Sequence, residues 1–99
     1  MSCYTVGVIR SFKDKGLAQF AQTSRTAKLS VQKPDRIRRI LDALDAATAP
    51  RQMDVPGWRF HELIPKFPGL YAVTVSGNWR ITFRFDGPNA VDVDLVDYH

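Results

Sequence analysis

The spacing of apolar positions along this 99-residue chain changes at Pro56-Gly57, from helical to alternating. Before that point Ile37, Ile40, Leu41 and Leu44 fall at i, i+3, i+4 and i+7, one stripe of a helix running from about Pro34 to Ala47. Arg36, Arg38, Arg39, Asp42 and Asp45 lie mostly off that stripe, as a solvated face requires. Pro34 fits only a first turn, because deeper in a helix it removes a hydrogen bond and clashes with the preceding turn; Ala49-Pro50 ends the helix. Leu17, Phe20 and Ala21 predict a shorter helix over about residues 13–22. Ser11-Phe12-Lys13-Asp14 has the form of a capping box with Ser11 as the cap. Val6 to Ile9 reads as a first strand, and the polar, basic residues 23–30 as a loop.

Beyond Pro56-Gly57, residues 58–63 alternate, residues 70–75 are rich in β-formers, and Trp79 to Phe85 and Val91 to Leu95 alternate again. Ser76-Gly77-Asn78 and Asp86-Gly87 are hairpin turn signals. The expected fold is therefore α+β: two N-terminal helices packed on one face of a four-strand antiparallel meander. Register follows from the apolar pattern, since a slip of one residue exchanges the two faces. A three-residue loop at 76–78 sets Val75 against Trp79, Val73 against Ile81 and Tyr71 against Phe83. A five-residue loop at 86–90 sets Phe85 against Val91, Phe83 against Val93 and Ile81 against Leu95. Two-residue loops would oppose arginines to valines and are set aside. The second face then carries Arg80, Thr82, Arg84, Asp92, Asp94 and Tyr98, with Arg84 opposite Asp92 and Arg80 near Asp94. Arg59 and His61 share a face of their own strand.

Composition narrows the class. The length suits one domain with a modest core. No apolar run reaches the length of a membrane span, and the first residues lack the regions of a signal peptide, so a cytoplasmic location is expected. Cys3 is the only cysteine, which excludes an internal disulfide and a cysteine-cluster zinc site. Residues 1–41 hold nine Lys or Arg against two Asp, a balance of +7; residues 42–99 hold five against eight Asp or Glu, a balance of −3. A basic half suits a polyanionic partner such as nucleic acid, although a basic helical face is also simply soluble.

The candidate chemistry lies on the second sheet face and at the end of the last strand, where Asp97-Tyr98-His99 closes the sequence. Histidine exchanges protons near neutral pH, and His61 and His99 are the only two. Arg80 and Arg84 are fixed cations suited to phosphate. Tyr98 can stack on a base or donate a proton, and Asp97 can orient an imidazole or act as a base. Metal-free RNA cleavage needs such a set: a base for the 2′-OH, a cation for the crowded phosphorane and an acid for the leaving 5′-oxygen. There is no Gly-rich phosphate loop, no histidine pair at metal-ligand spacing and no serine nucleophile elbow.

Residues 9–17 (Ile-Arg-Ser-Phe-Lys-Asp-Lys-Gly-Leu), residues 58–63 (Trp-Arg-Phe-His-Glu-Leu), the run Asn78-Trp79-Arg80-Ile81-Thr82-Phe83 and the terminal Asp97-Tyr98-His99 together resemble the HigB-type toxins of the RelE/ParE superfamily. The resemblance covers residues 9–99 as a single domain of RelE-like fold, with residues 1–8 as an extension before it. It implies a type II toxin that cleaves messenger RNA in the A site of the 70S ribosome, without metal or other cofactor, and that is paired with a HigA-like helix-turn-helix antitoxin. It places catalytic roles on His61, Asp97, Tyr98 and His99, leaving acid and base unassigned. RNA or phosphate contacts fall on Arg80, Arg84, Lys66 and Arg59, and contacts with the ribosome on Arg36, Arg38 and Arg39. Two positions depart from the family pattern: Glu62 stands where it has proline after the histidine, and Ile64 where it has lysine, leaving Lys66 as the nearby cation. The rival readings are a ParE-like inhibitor of gyrase on the same fold, which has no need of the terminal acid, phenol and imidazole, and a plain interaction domain that binds nucleic acid or protein without cutting.

Overall fold

A computed structural model describes residues 9–23 and 33–97. Helix α1 spans Lys15–Thr23 and α2 spans Pro34–Ala46; a 3-10 turn, Pro50–Met53, leads to strands β1 (His61–Glu62), β2 (Tyr71–Ser76), β3 (Trp79–Asp86) and β4 (Asn89–Asp97). The strands form one sheet in the order β1-β2-β3-β4, each pair antiparallel. The expected α+β architecture is borne out. Ile37, Ile40 and Leu44 of α2 and Leu17 of α1 are fully buried, together with Val73, Ile81, Phe83 and Val93 from the inner face of the sheet. Removing such side chains from water contributes roughly 1.5–3 kcal/mol each.

The N-terminal segment departs from expectation. Val6 to Val8 lie outside the described residues, but Ile9 and Phe12 form isolated parallel bridges to Ala90 and Val93. The Arg10 and Lys13 N–H groups donate to the Ala90 and Val93 carbonyls at 2.7 and 2.8 Å, and the Val93 N–H donates to the Ser11 carbonyl at 3.1 Å. Residues 9–13 therefore cover the outer edge of β4, which blunts an edge that would otherwise offer unpaired groups to another chain. Ser11 is not the helix cap. The Asp14 carboxylate accepts the Leu17 N–H at 2.8 Å, while the Ser11 hydroxyl accepts the Asp92 N–H at 2.8 Å. Strand pairing takes Ser11, so the cap passes to the next acceptor before the helix.

Both hairpins correct the expected loops. Ser76 pairs with Trp79 and Asp86 with Asn89, so the loops are the two-residue Gly77-Asn78 and Gly87-Pro88. Each has glycine first at positive φ, +54° and +63°, as a type II′ turn requires. The apolar faces stay inward because each hairpin carries a bulge. One lies between Thr74 and Ser76, and one opposite the step from Thr82 to Arg84, where Asp92 and Val93 together face Phe83. The extra residue cancels the slip that a two-residue loop imposes, so Val73–Ile81, Tyr71–Phe83 and Ile81–Leu95 pair as expected. The expected Val75–Trp79, Phe85–Val91 and Arg84–Asp92 pairs do not form; Arg84 faces Val91, with Asp92 in the bulge.

The strand expected over residues 58–63 shrinks to His61–Glu62, because Arg59 adopts φ +53° and breaks the extended run. Trp58 still accepts the Thr74 N–H at 2.7 Å, and the Leu63 N–H donates to Leu70 at 2.8 Å. Replacing Asp14 with alanine removes the acceptor at the start of α1 and costs about 1 kcal/mol. In a domain of this size that lowers the melting temperature by about 4–8 °C. Thermal denaturation of Asp14→Ala beside Asp14→Ser, which keeps a cap, checks this; equal melting temperatures for the two would refute the capping role.

Candidate functional site

Alternation along the strands sorts the candidate residues by face. His61 pairs with Ala72, Ala72 with Thr82 and Thr82 with Asp94, which makes one row across the outer face, away from the helices. Thr74, Arg80 and Val96 form the next row. A pocket of about 210 Å³ opens on this face. It is lined by Thr82, Leu70 and Val96, by the charged Arg84, Asp92 and Asp94, and by Lys13 and Phe67 from outside the sheet. Lys13 arrives there because residues 9–13 run beside β4. Phe67 arrives on the loop between β1 and β2, where its N–H donates to Leu63 at 2.7 Å and its carbonyl accepts the Leu70 N–H at 3.1 Å. Arg84 braces that loop by donating to the Pro68 carbonyl at 3.4 Å, and the Glu62 carboxylate accepts the Gly69 N–H at 2.9 Å. Glu62, where the resemblance expects proline, thus holds the loop from the other end.

Among the described residues two with side chains occupy the left-handed backbone region: Arg59 at φ +53°, two positions before His61, and Asp92 at φ +54°, which lines the pocket. Such conformations cost about 1–3 kcal/mol and persist where surrounding structure imposes them. The Arg59 carbonyl lies 2.8 Å from His61 Nδ1. A carbonyl only accepts, so Nδ1 is the donor in this contact and Nε2 is the ring nitrogen outside it. The bulge turns Asp92 to the outer face while Val93 stays in the core.

The other expected residues are distributed as follows. Asp97 ends β4 opposite Trp79, in the rows that face the core, and is exposed. Tyr98 and His99 lie outside the described residues. His61 and Asp97 are on the first and fourth strands, whose axes are roughly 14 Å apart at ordinary strand spacing. Arg80 folds back on its own turn, donating to Gly77 at 2.9 Å and Trp79 at 3.4 Å, whereas Arg84 reaches the pocket. Lys66 and Arg59 are exposed. The three helix arginines do not form one free set. Arg36 donates to the Thr74 and Gly57 carbonyls at 3.3 and 2.9 Å, tying α2 to the sheet. Arg38 donates to Phe20 at 3.0 Å, lies 4.6 Å over its ring and pairs with Asp42 at 3.8 Å. Arg39 is the exposed member.

The sequence reading missed Lys13 and Phe67. Lys13 carried no local signal, because its placement depends on pairing with a strand about 80 positions away. For Phe67 the signal was present: an aromatic between Lys66 and Pro68-Gly69 in a loop has no helix or strand to bury it. Among the described residues no group of three or more His, Cys, Asp or Glu is placed to hold a metal ion, and no helix is long and apolar enough to cross a membrane.

Two helices over one face of a four-strand sheet, with a charged pocket on the other, is the build of a RelE-like toxin. The family of RelE-like toxins of type II toxin-antitoxin systems called HigB matches residues 10–99, and the chain belongs to it. Endoribonuclease HigB of Proteus vulgaris is 36% identical over 92 residues, a span covering 93% of this chain and 100% of that protein. A toxin of this type has an antitoxin as its counterpart.

Arg59 separates backbone strain from side-chain function. Glycine accepts its φ without penalty, whereas a β-branched residue does not. Arg59→Val should be about 1–2 kcal/mol less stable than Arg59→Gly in urea denaturation. Equal stabilities would show that the left-handed turn before His61 is not imposed by the fold.

Proposed function

We propose that this toxin is an endoribonuclease that cuts messenger RNA on the ribosome, in the cytoplasm, and is neutralised by a helix-turn-helix antitoxin of the HigA type. The observation that carries this reading is the match to a protein named as an endoribonuclease along the whole of that protein's length. The outer face supports it with a mixed-charge pocket, an exposed aromatic that lines it, and His61 in the row that contains Thr82 of that pocket.

In this reading the RNA strand lies across the outer face. Its 2′-OH attacks the adjacent phosphorus, the P–O5′ bond breaks, and the upstream product keeps a 2′,3′-cyclic phosphate. Arg84 and Lys13 offset the charge that builds on the phosphorane oxygens, aided by the nearby Lys66 and by Arg59. His61 moves a proton through Nε2, and Asp97, Tyr98 and His99 supply the complementary transfer. Arg80 contributes positive charge at the turn end of the sheet. Arg39 is the helix cation best suited to ribosomal RNA, since Arg36 and Arg38 already serve the fold. The ribosome's part is to hold the strand in a near-attack geometry, and effective molarities of well-placed groups reach about 7–11 kcal/mol.

A cell-free translation reaction with primer extension on the message tests the proposal. Cuts should appear within translated codons, end in cyclic phosphate, and fall by roughly 10²- to 10⁴-fold in His61→Ala and in His99→Ala. A message whose leaving oxygen is replaced by sulfur needs no general acid, so it should rescue whichever variant has lost the acid and not the one that has lost the base. Uncut message together with inhibited DNA supercoiling would establish the gyrase reading instead.

A further inference from the structure

Phe67 is 48% exposed, yet its loop is fixed by backbone hydrogen bonds on both sides and braced by Arg84 and Glu62. A half-exposed aromatic held rigid beside two cations serves no core. Within the same pocket Asp92 is turned outward by the bulge, and its N–H is secured to the Ser11 hydroxyl. Neither residue has a part in the proton transfers described above. From this juxtaposition we propose that the outer-face pocket is a nucleobase subsite: an unpaired base of the RNA stacks on Phe67, and its exocyclic amino group donates to the Asp92 carboxylate.

The chemistry fits RNA more closely than it fits a peptide. Single-stranded nucleic acid is held where aromatic faces alternate with cations, because each base brings a π-face and each nucleotide a phosphate. Lys13 and Arg84 line the same pocket as the ring. An ionised carboxylate only accepts, so it selects bases that present an amino group, adenine, cytosine or guanine, over uracil. The strain at Asp92 has a use here: with Arg84 opposite Val91, an unbulged strand would set position 92 opposite Phe83, on the face toward the core. Asn tolerates the left-handed backbone almost as well as Asp, so Asp92→Asn changes the hydrogen-bonding character of the side chain while leaving the bulge intact.

The inference rests on the endoribonuclease reading for its substrate, and two measurements keep the two apart. The first needs no cleavage: fluorescence of a short single-stranded RNA oligonucleotide containing 2-aminopurine, titrated with the whole protein. Stacking on Phe67 should quench it, with affinity weakened about 5- to 150-fold in Phe67→Leu and retained in Phe67→Trp. The second maps cut sites in translated messages with randomised codons. The wild type should disfavour uracil at one fixed position relative to the cut, and Asp92→Asn should lose that bias at that position alone. Equal quenching by Phe67→Leu, no quenching by the wild type, or an unchanged base bias in Asp92→Asn overturns the subsite. A loss confined to neutralisation by the antitoxin, with quenching unchanged, also overturns it and assigns Phe67 to that interface. Quenching without any cutting by the wild type leaves the subsite standing and sinks the nuclease reading.

Discussion

Burial of one face of the sheet under two helices fixes the register of every strand, since a slip of one residue would carry Val73, Ile81, Phe83 and Leu95 to solvent. At roughly 1.5–3 kcal/mol for each buried side chain, that slip costs more than one strained backbone residue at about 1–3 kcal/mol. The tight glycine-led turns would impose the slip, and the bulges cancel it. Asp92 takes the left-handed conformation because the inward fit of Val93 outweighs it. The same residue thereby gains its outward aim, so a demand of the core shapes the chemistry of the opposite face.

Whatever depends on periodicity within one segment was legible in the sequence. The stripe from Ile37 to Leu44, the proline at the start of α2, and the pairing of Val73 with Ile81 and of Ile81 with Leu95 all follow from spacing and from one-sided burial. What depends on contacts between distant segments was not legible. Ser11 has the form of a cap, but pairing of residues 9–13 with β4 takes its hydroxyl for Asp92, and the cap moves to Asp14. Loop length and bulge together set register, and the apolar pattern sees only their sum; a three-residue loop and a two-residue turn with a bulge place Val73 and Ile81 alike. The break at Arg59 is equally hidden, because arginine has no preference for positive φ.

Positive charge divides between fold and site in a way composition cannot show. Arg36 and Arg38 spend their guanidinium groups on carbonyls and a ring inside the molecule, and Arg80 turns back on its own hairpin. Lys13 and Arg84 meet two carboxylates in the pocket, Asp92 and Asp94. The outer face is therefore locally balanced despite the net charge of +4. A balanced pocket attracts a polyanion weakly from a distance and discriminates well at contact, because each carboxylate penalises a phosphate placed anywhere but on the cations. That division suits an enzyme whose substrate is delivered by a larger assembly rather than gathered by a long-range field.

The strand order bears on mechanism in the same way. His61 rises from the first strand on the outer face and Asp97 ends the fourth in the core-facing rows, with roughly 14 Å of sheet between their strands. In the proposed reading, groups on strands so far apart engage one phosphate only if it lies between them. An RNA strand crossing the face would meet His61 over the first strand, Arg84 over the third and Lys13 beyond the fourth. In the proposed reading a codon held in a decoding site has the fixed shape that such placement needs. The ribosome dependence proposed above would supply that placement of one phosphate as effective molarity.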